Sequence, residues 1–207
     1  MAEINLLAGL PKTRRNLSAR AEAKAPEVIA LSKQFGQEYF DGPREYGYGG
    51  YRYDGRWVPV ARDIVAHFGL RPGQRVLDVG CAKGFLVKDL MSVCPGLEVF
   101  GLDISEYALM HCEPEVVGRL HLGSCEHLPF PDRSFDAVLS INTIHNCDRA
   151  GAIRTLGGRD LLALDDVHAI AGDAAAEHAL FDLYNRCKTE KSTLLFSATA
   201  VPAQIGI

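Results

Sequence analysis

Apolar residues in this chain gather in short runs between Gly- and Pro-containing turns, and the runs alternate with segments of helical spacing. After the turn "RPGQ", "RVLDVG" reads as a short buried strand, "FLVKDLMSVC" as a helix and "LEVFGLD" as a second strand. "SEYALMHC" follows as a helix, "RLHLG" as a third strand and "FDAVLSI" as a fourth. Such alternation implies an α/β fold with a doubly wound, mostly parallel sheet and right-handed crossovers. Ahead of it, Trp57, Val60, Ala61, Ile64, Val65 and Phe68 recur at helical spacing up to Gly69, a residue suited to a left-handed helix stop.

Residues 16–35 are alanine-rich, with Leu17, Val28 and Leu31 among charges, and predict a helix that starts or breaks at Pro26. The stretch "FGQEYFDGPREYGYGGYRYDGRW" then holds too much Gly, Asp and Pro for a regular helix and too many aromatic rings for a plain linker. Two roles are open to it: packing its rings onto the domain, or walling a cleft as a lid.

Near the C-terminus, "RDLLALDDVHAI" reads as a buried strand ending in Asp165 and Asp166. A helix follows with Leu180, Leu183, Tyr184 and Cys187 on one face, and then the strand "TLLFSA". Paired acids at a strand end suit a nucleotide hydrolase, but the chain contains no G-x-x-x-x-G-K-[ST] phosphate loop. The acid pair therefore reads as capping and solvation. A crossover unit of this kind can extend an open sheet edge. Residues 161–165 are accordingly expected beside residues 135–141, with residues 193–198 outside them, in one continuous sheet.

Composition adds bounds more than content. The 207 residues are 47% hydrophobic and 23% charged, enough for one medium domain with a real core. A formal charge of -4 gives no general attraction to nucleic acid or anionic membranes, and the basic cluster around Arg14, Arg15 and Arg20 reads as a solvated tail. No apolar run reaches membrane-spanning length and no secretory leader pattern is seen, so a cytoplasmic protein is expected. The six cysteines include no C-x-x-C pair, which favours reduced thiols, and the spacing of Cys112, His121, Cys125 and His127 fits no structural zinc pattern, so no metal is expected.

Chemistry concentrates where the first strands end. In "VLDVGCAKGF" the strand carries Asp78 into a turn of Gly80, Ala82 and Gly84, where a ligand can lie against the backbone. The dinucleotide fingerprint G-x-G-x-x-G is not spelled, because Ala82 and Phe85 stand where it needs glycine. The second strand ends in Asp103, whose carboxylate can accept both hydroxyls of a ribose.

Taken in order, "LDVGCAKG", "LDIS" and "LPFPDRSFD" resemble the class I S-adenosylmethionine-dependent methyltransferases over residues 1–147. The resemblance implies a Rossmann-like core at residues 57–147, preceded by a helix and aromatic lid at residues 1–56, and S-adenosyl-L-methionine as cofactor. It implies that Asp78 meets the amino-acid end of the cofactor, Gly80, Ala82 and Gly84 admit its backbone approach, Asp103 holds the ribose and Ile104 packs on the adenine. The family often has an acid at position 124 for the adenine amino group; Ser124 offers a weaker bond, and the backbone of Cys125 remains available. Asn142 and His145, beyond the fourth strand, are the candidate catalytic residues. The methyl acceptor is expected to be a small or medium-sized molecule.

Residues 156–207 resemble a different family, the AAA+ proteins related to the replication initiator DnaA, most closely its small Hda-type regulators. That resemblance implies a Walker B position at Asp165 and Asp166, a sensor 1 position at Ser197, and a DnaA-like or sliding-clamp partner. The chain then reads as a composite joined between residues 146 and 158, with residues 148–207 an AAA+-like fragment. Alternatives to an enzyme are a binding module or a composite without activity.

Overall fold

The computed structural model describes residues 6–7, 9–11, 25–143, 146–155, 161–164 and 167–196. Of the helix expected over residues 16–35, residues 16–24 lie outside the described residues; from Pro26, whose fixed φ suits a first helical turn, it runs as α1 (Pro26–Ser32). Within the aromatic run a single turn forms, α2 (Gln37–Phe40), and the rest is irregular. The amphipathic helix α3 (Val58–Phe68) stops at Gly69 with φ 61°, as its spacing predicts.

The core strands are β1 (Arg75–Val79), β2 (Glu98–Asp103), β3 (Leu120–Leu122) and β4 (Ala137–Ser140), with crossover helices α4 (Phe85–Val93) and α5 (Glu106–Met110). Ser105 caps α5 by accepting the Ala108 N–H at 3.0 Å. A further helix, α6 (Arg149–Thr155), was not evident from spacing, since its buried residues are the small Ala150 and Ala152 with Ile153 alone of any size. Strand β5 (Leu161–Leu164), helix α7 (Ala174–Glu190) and strand β6 (Thr193–Phe196) complete the fold.

Among the described residues six strands run parallel in the order β3-β2-β1-β4-β5-β6, the Rossmann arrangement. Strand β5 pairs with β4, Ala137 opposite Leu161 through Ser140 opposite Leu164, and β6 pairs outside β5. The C-terminal unit thus continues the sheet as its pattern predicts. Asp165, Asp166 and Ser197 lie outside the described residues.

Alternation along the strands feeds two cores. Val76, Ala137 and Leu139 face α3 and α4 through Val60, Ile64, Val87 and Leu90. Leu77, Val79, Val138, Leu162 and Leu164 face α6 and α7 through Ile153, Ala179, Leu180 and Leu183. Tyr184 departs from the expected α7 face: it is 42% exposed, because the buried stripe runs through Ala176, Ala179, Leu180, Leu183 and Cys187 and Tyr184 lies one residue off it. At the amino ends of the strands, Arg75 donates its N–H to Asp136 Oδ2 at 2.7 Å, and its guanidinium lies over the rings of Phe100 and Phe135.

Helix α7 is held by its ends. Asp173 accepts the Ala176 N–H at 3.1 Å, and Lys191 closes the helix in a left-handed conformation with φ 59°. Asp173→Ala is expected to cost about 1 kcal/mol. Because β5, α7 and β6 belong to the same sheet and core as β1, urea unfolding should show one transition shifted to lower denaturant, not a separate early phase.

Candidate functional site

The cleft opens at the carboxyl ends of β1, β2 and β4, the usual ligand edge of such a sheet. Its floor is Gly80, Ala82, Leu102, Asp103 and Ile104; one wall is Gly123, Ser124, Cys125 and Glu126, and the other Asn142, Thr143, Asn146 and Cys147. Phe35, Tyr39, Phe40 and Tyr48 form the roof, so the aromatic segment does wall the cleft. Of the sequence-derived candidates, Gly80, Ala82, Asp103, Ile104, Ser124, Cys125 and Asn142 meet here. Asp78 and Gly84 are not among the lining residues, and His145 lies outside the described residues.

Asp103 organises the floor. Its Oδ2 accepts the Ala82 N–H at 2.7 Å and its Oδ1 accepts the Ser105 N–H at 2.8 Å, which ties the β1–α4 turn to the β2–α5 turn. Ala82 is left-handed there, with φ 51°, a conformation costing an L-residue roughly 1–2 kcal/mol and held by the bond to Asp103. Burial pushes the Asp103 carboxyl above the usual range despite those N–H bonds. Beside it Ile104 is 60% exposed, an apolar surface facing the cleft.

The two glycines of the turn have structural reasons to be small. A Cβ at Gly80, where φ is 84°, would overlap the Thr143 hydroxyl, which donates to the Val79 carbonyl at 3.1 Å. A Cβ at Gly84 would lie 2.9 Å from Val116, and its φ of 78° starts α4. Sequence reasoning saw in both only room for a ligand.

Asp78 is 4% exposed in the middle of the sheet. Burial first, and the Asp103 charge second, push its carboxyl up to about 7. Since the folded-state value lies above the unfolded one near pH 4, the folded chain holds an extra proton between those values and loses stability as pH rises through the window, by on the order of 4 kcal/mol in all. Melting of the ligand-free protein should therefore fall in temperature from pH 5 to pH 8, and Asp78→Asn should flatten that dependence.

The roof is fastened by a contact the sequence did not suggest. Lys83, with its side chain only 8% exposed, reaches back 42 residues to Asp41 Oδ2 at 2.7 Å and to the Tyr51 carbonyl at 3.0 Å. Tyr107 donates to the same Asp41 oxygen at 2.8 Å, and the Tyr51 N–H to Asp41 Oδ1 at 3.2 Å. Burial pushes the Asp41 carboxyl up, but these donors together hold it below its ordinary range. The rings pack beneath the clasp: Tyr48 lies tilted against Tyr51 at 4.2 Å and Tyr51 stacks on Phe85 at 4.5 Å between centroids. A second tie runs from Tyr53 to the buried Asp89 at 2.6 Å; Asp89 Oδ2 has no hydrogen-bond partner among the described residues. Lys83→Met should speed hydrogen exchange at least tenfold for Tyr48, Gly50 and Tyr51, whose amides bond within this segment, and leave β1 unchanged.

With the roof fastened the cavity measures about 130 Å³, below the roughly 300 Å³ where ligand sites begin. Among the described residues lining the cleft there is no Lys or Arg, while Asp103 and Glu126 are acidic.

The sheet and its edge cleft define a Rossmann-like α/β protein. Within it, residues 77–156 match the family described as "Methyltransferase domain". That span holds all three motifs singled out above and reaches through α6, past residue 147 where the sequence resemblance was expected to end. The chain is 39% identical over 92 residues to the demethylmenaquinone methyltransferase of Symbiobacterium thermophilum, covering 41% of this chain and 37% of that protein. It is 38% identical over 90 residues to the sterol 24-C-methyltransferase ERG6B of Gibberella zeae, covering 40% and 23%. A solved N-methyltransferase of Haemonchus contortus, in complex with phosphomonomethylethanolamine and S-adenosylhomocysteine, aligns at 26% identity and a TM-score of 0.41 over 58% of this chain and 28% of that one. The chain thus spans well under half the length of these curated relatives. The comparisons give no support to the AAA+ resemblance of residues 156–207 or to a DnaA-like partner.

Proposed function

We propose that the chain is an S-adenosyl-L-methionine-dependent methyltransferase, acting in the cytoplasm on a small or medium-sized acceptor. The observation that carries this reading is an acidic cleft, without lysine or arginine among its described lining residues, whose floor and walls lie inside the segment that matches a methyltransferase domain. A cofactor with a sulfonium and an ammonium group suits such a cleft, and a polyphosphate does not. The same feature speaks against an ATP-dependent AAA+ activity. No helix among the described residues is long and apolar enough to cross a membrane.

The residues fit the cofactor. The Asp103 carboxylate accepts the N–H groups of Ala82 and Ser105, with that of Ile104 beside them, and of its roughly four lone-pair sites keeps one for a ribose hydroxyl. Ile104 offers its exposed face to the adenine, with Ser124 and the Cys125 backbone as polar partners. Asp78, held near neutrality by burial and by Asp103, gains its charge when a cationic amino-acid end approaches. Gly80 and Ala82 keep the turn low beneath the ligand, and Gly84 sets the start of α4. Bound S-adenosylmethionine supplies an electrophilic methyl group that needs alignment with a nucleophile and little proton chemistry. Asn142, left-handed with φ 56° at the far wall, orients the acceptor, and His145 takes its proton.

Titration calorimetry with S-adenosylhomocysteine tests the reading. The wild type should bind it and not ATP, and Asp103→Ala should weaken binding by about 2 kcal/mol or more, roughly thirtyfold, as bonds to a charged acceptor are lost. Binding of neither ligand would point to a composite chain without activity.

A further inference from the structure

Two cysteines stand in the cleft walls with no task in the proposed methyl transfer. Cys125 lies between β3 and β4 and Cys147 between β4 and α6; both are partly exposed and both line the cavity. Their side chains are hydrogen-bonded to each other, and the Cys147 thiol also has the Thr143 carbonyl at 3.8 Å. One residue farther along each loop the Glu126 carboxylate ties the two together, its Oε1 accepting the Asp148 N–H at 2.8 Å. Ser124 Oγ accepts the Glu126 N–H at 3.1 Å, and Asp148 Oδ2 accepts the Gly151 N–H at 3.2 Å in the first turn of α6. The sulfurs are thus brought together by two clamped loops.

The pair is chemically unequal. The hydrogen bond from Cys147 holds the Cys125 thiol below its ordinary range against the opposing effect of burial, and the same contact pushes Cys147 up. Cys81, Cys94 and Cys187 are buried, and burial pushes Cys112 up.

We propose that Cys125 and Cys147 form a hydroperoxide-responsive dithiol that closes as a disulfide between the cleft walls and shuts the cofactor out. The Cys125 thiolate attacks a hydroperoxide; the O–O bond breaks, an alcohol or water leaves after taking a proton, and Cys125 becomes a sulfenic acid. Cys147 then attacks that sulfur, the S–O bond breaks, and water departs with the Cys147 proton. The cysteine pair loses two electrons and the hydroperoxide gains them; a dithiol reductant reverses the change by exchange. Closure brings the sulfurs to about 2.05 Å and draws the wall of Ser124 toward that of Asn146, across the space where the adenine end of the cofactor is placed above. The shutting-out rests on the proposed cofactor; the disulfide does not.

The test treats the full chain with hydrogen peroxide and follows it by non-reducing peptide mapping and by S-adenosylhomocysteine calorimetry. The expected result is a cross-linked peptide joining Cys125 to Cys147 and at least tenfold weaker binding, both reversed by dithiothreitol. In Cys147→Ser, Cys125 should accumulate as a sulfenic acid that dimedone traps, and in Cys125→Ser no dimedone adduct should form at Cys147. Absence of the cross-link, or a dimedone adduct at Cys147 in place of Cys125, would overturn the dithiol. A cross-link with unchanged affinity would overturn the gating alone. A reduced chain that binds no S-adenosylhomocysteine would overturn the cofactor reading and the gating with it, while the cross-link would still establish the dithiol.

Discussion

The Asp103 carboxylate, shared between the N–H groups of Ala82 and Ser105, is the interaction on which the cleft depends. Each of its oxygens fixes a different turn, so the ends of β1 and β2 acquire a defined spacing before any ligand is present. Ala82 accepts a left-handed backbone to make its half of the bond, and the next residue, Lys83, is thereby directed away from the cleft toward Asp41. One carboxylate therefore shapes the floor, keeps a cation out of it and positions the clasp of the roof.

The frame was legible in the sequence because each strand is a short, largely apolar run alternating with turns and segments of helical spacing, and a parallel sheet buried on both faces needs little else. The floor was legible for the same reason: Asp103 ends a strand, and glycines mark the turn beside it. What stayed hidden was tertiary. Lys83 and Asp41 are 42 residues apart and carry no common pattern. Cys125 and Cys147 meet only because two loops are clamped together. Asp78 reads as a cleft residue by its place before the glycine turn, yet it is buried within β1 beside the cleft. The register of Tyr184 on α7 misled because a residue one step from the buried stripe is turned by a quarter of the helix or more.

The C-terminal unit shows what a sheet edge selects. Leu162 and Leu164 join the same core as Val138, and α7 covers that core with small and branched side chains over a continuous stripe. The sheet continues from β4 into β5 and β6 in unbroken parallel pairing, since hydrophobic alternation and a crossover helix satisfy the edge of β4.

The bond from Arg75 to Asp136 joins residues 61 apart in sequence and closes the central β1–β4 pairing. Every other pairing in the sheet is also a parallel crossover, so no two strands assemble by closing a hairpin. The kinetic consequence is that the chain must close long loops before the sheet rewards it, which places its folding among slow, high-contact-order domains. While β1 waits for β4, the backbone N–H and C=O groups along that edge are unpaired, and the risk of association is greatest in those first moments after synthesis.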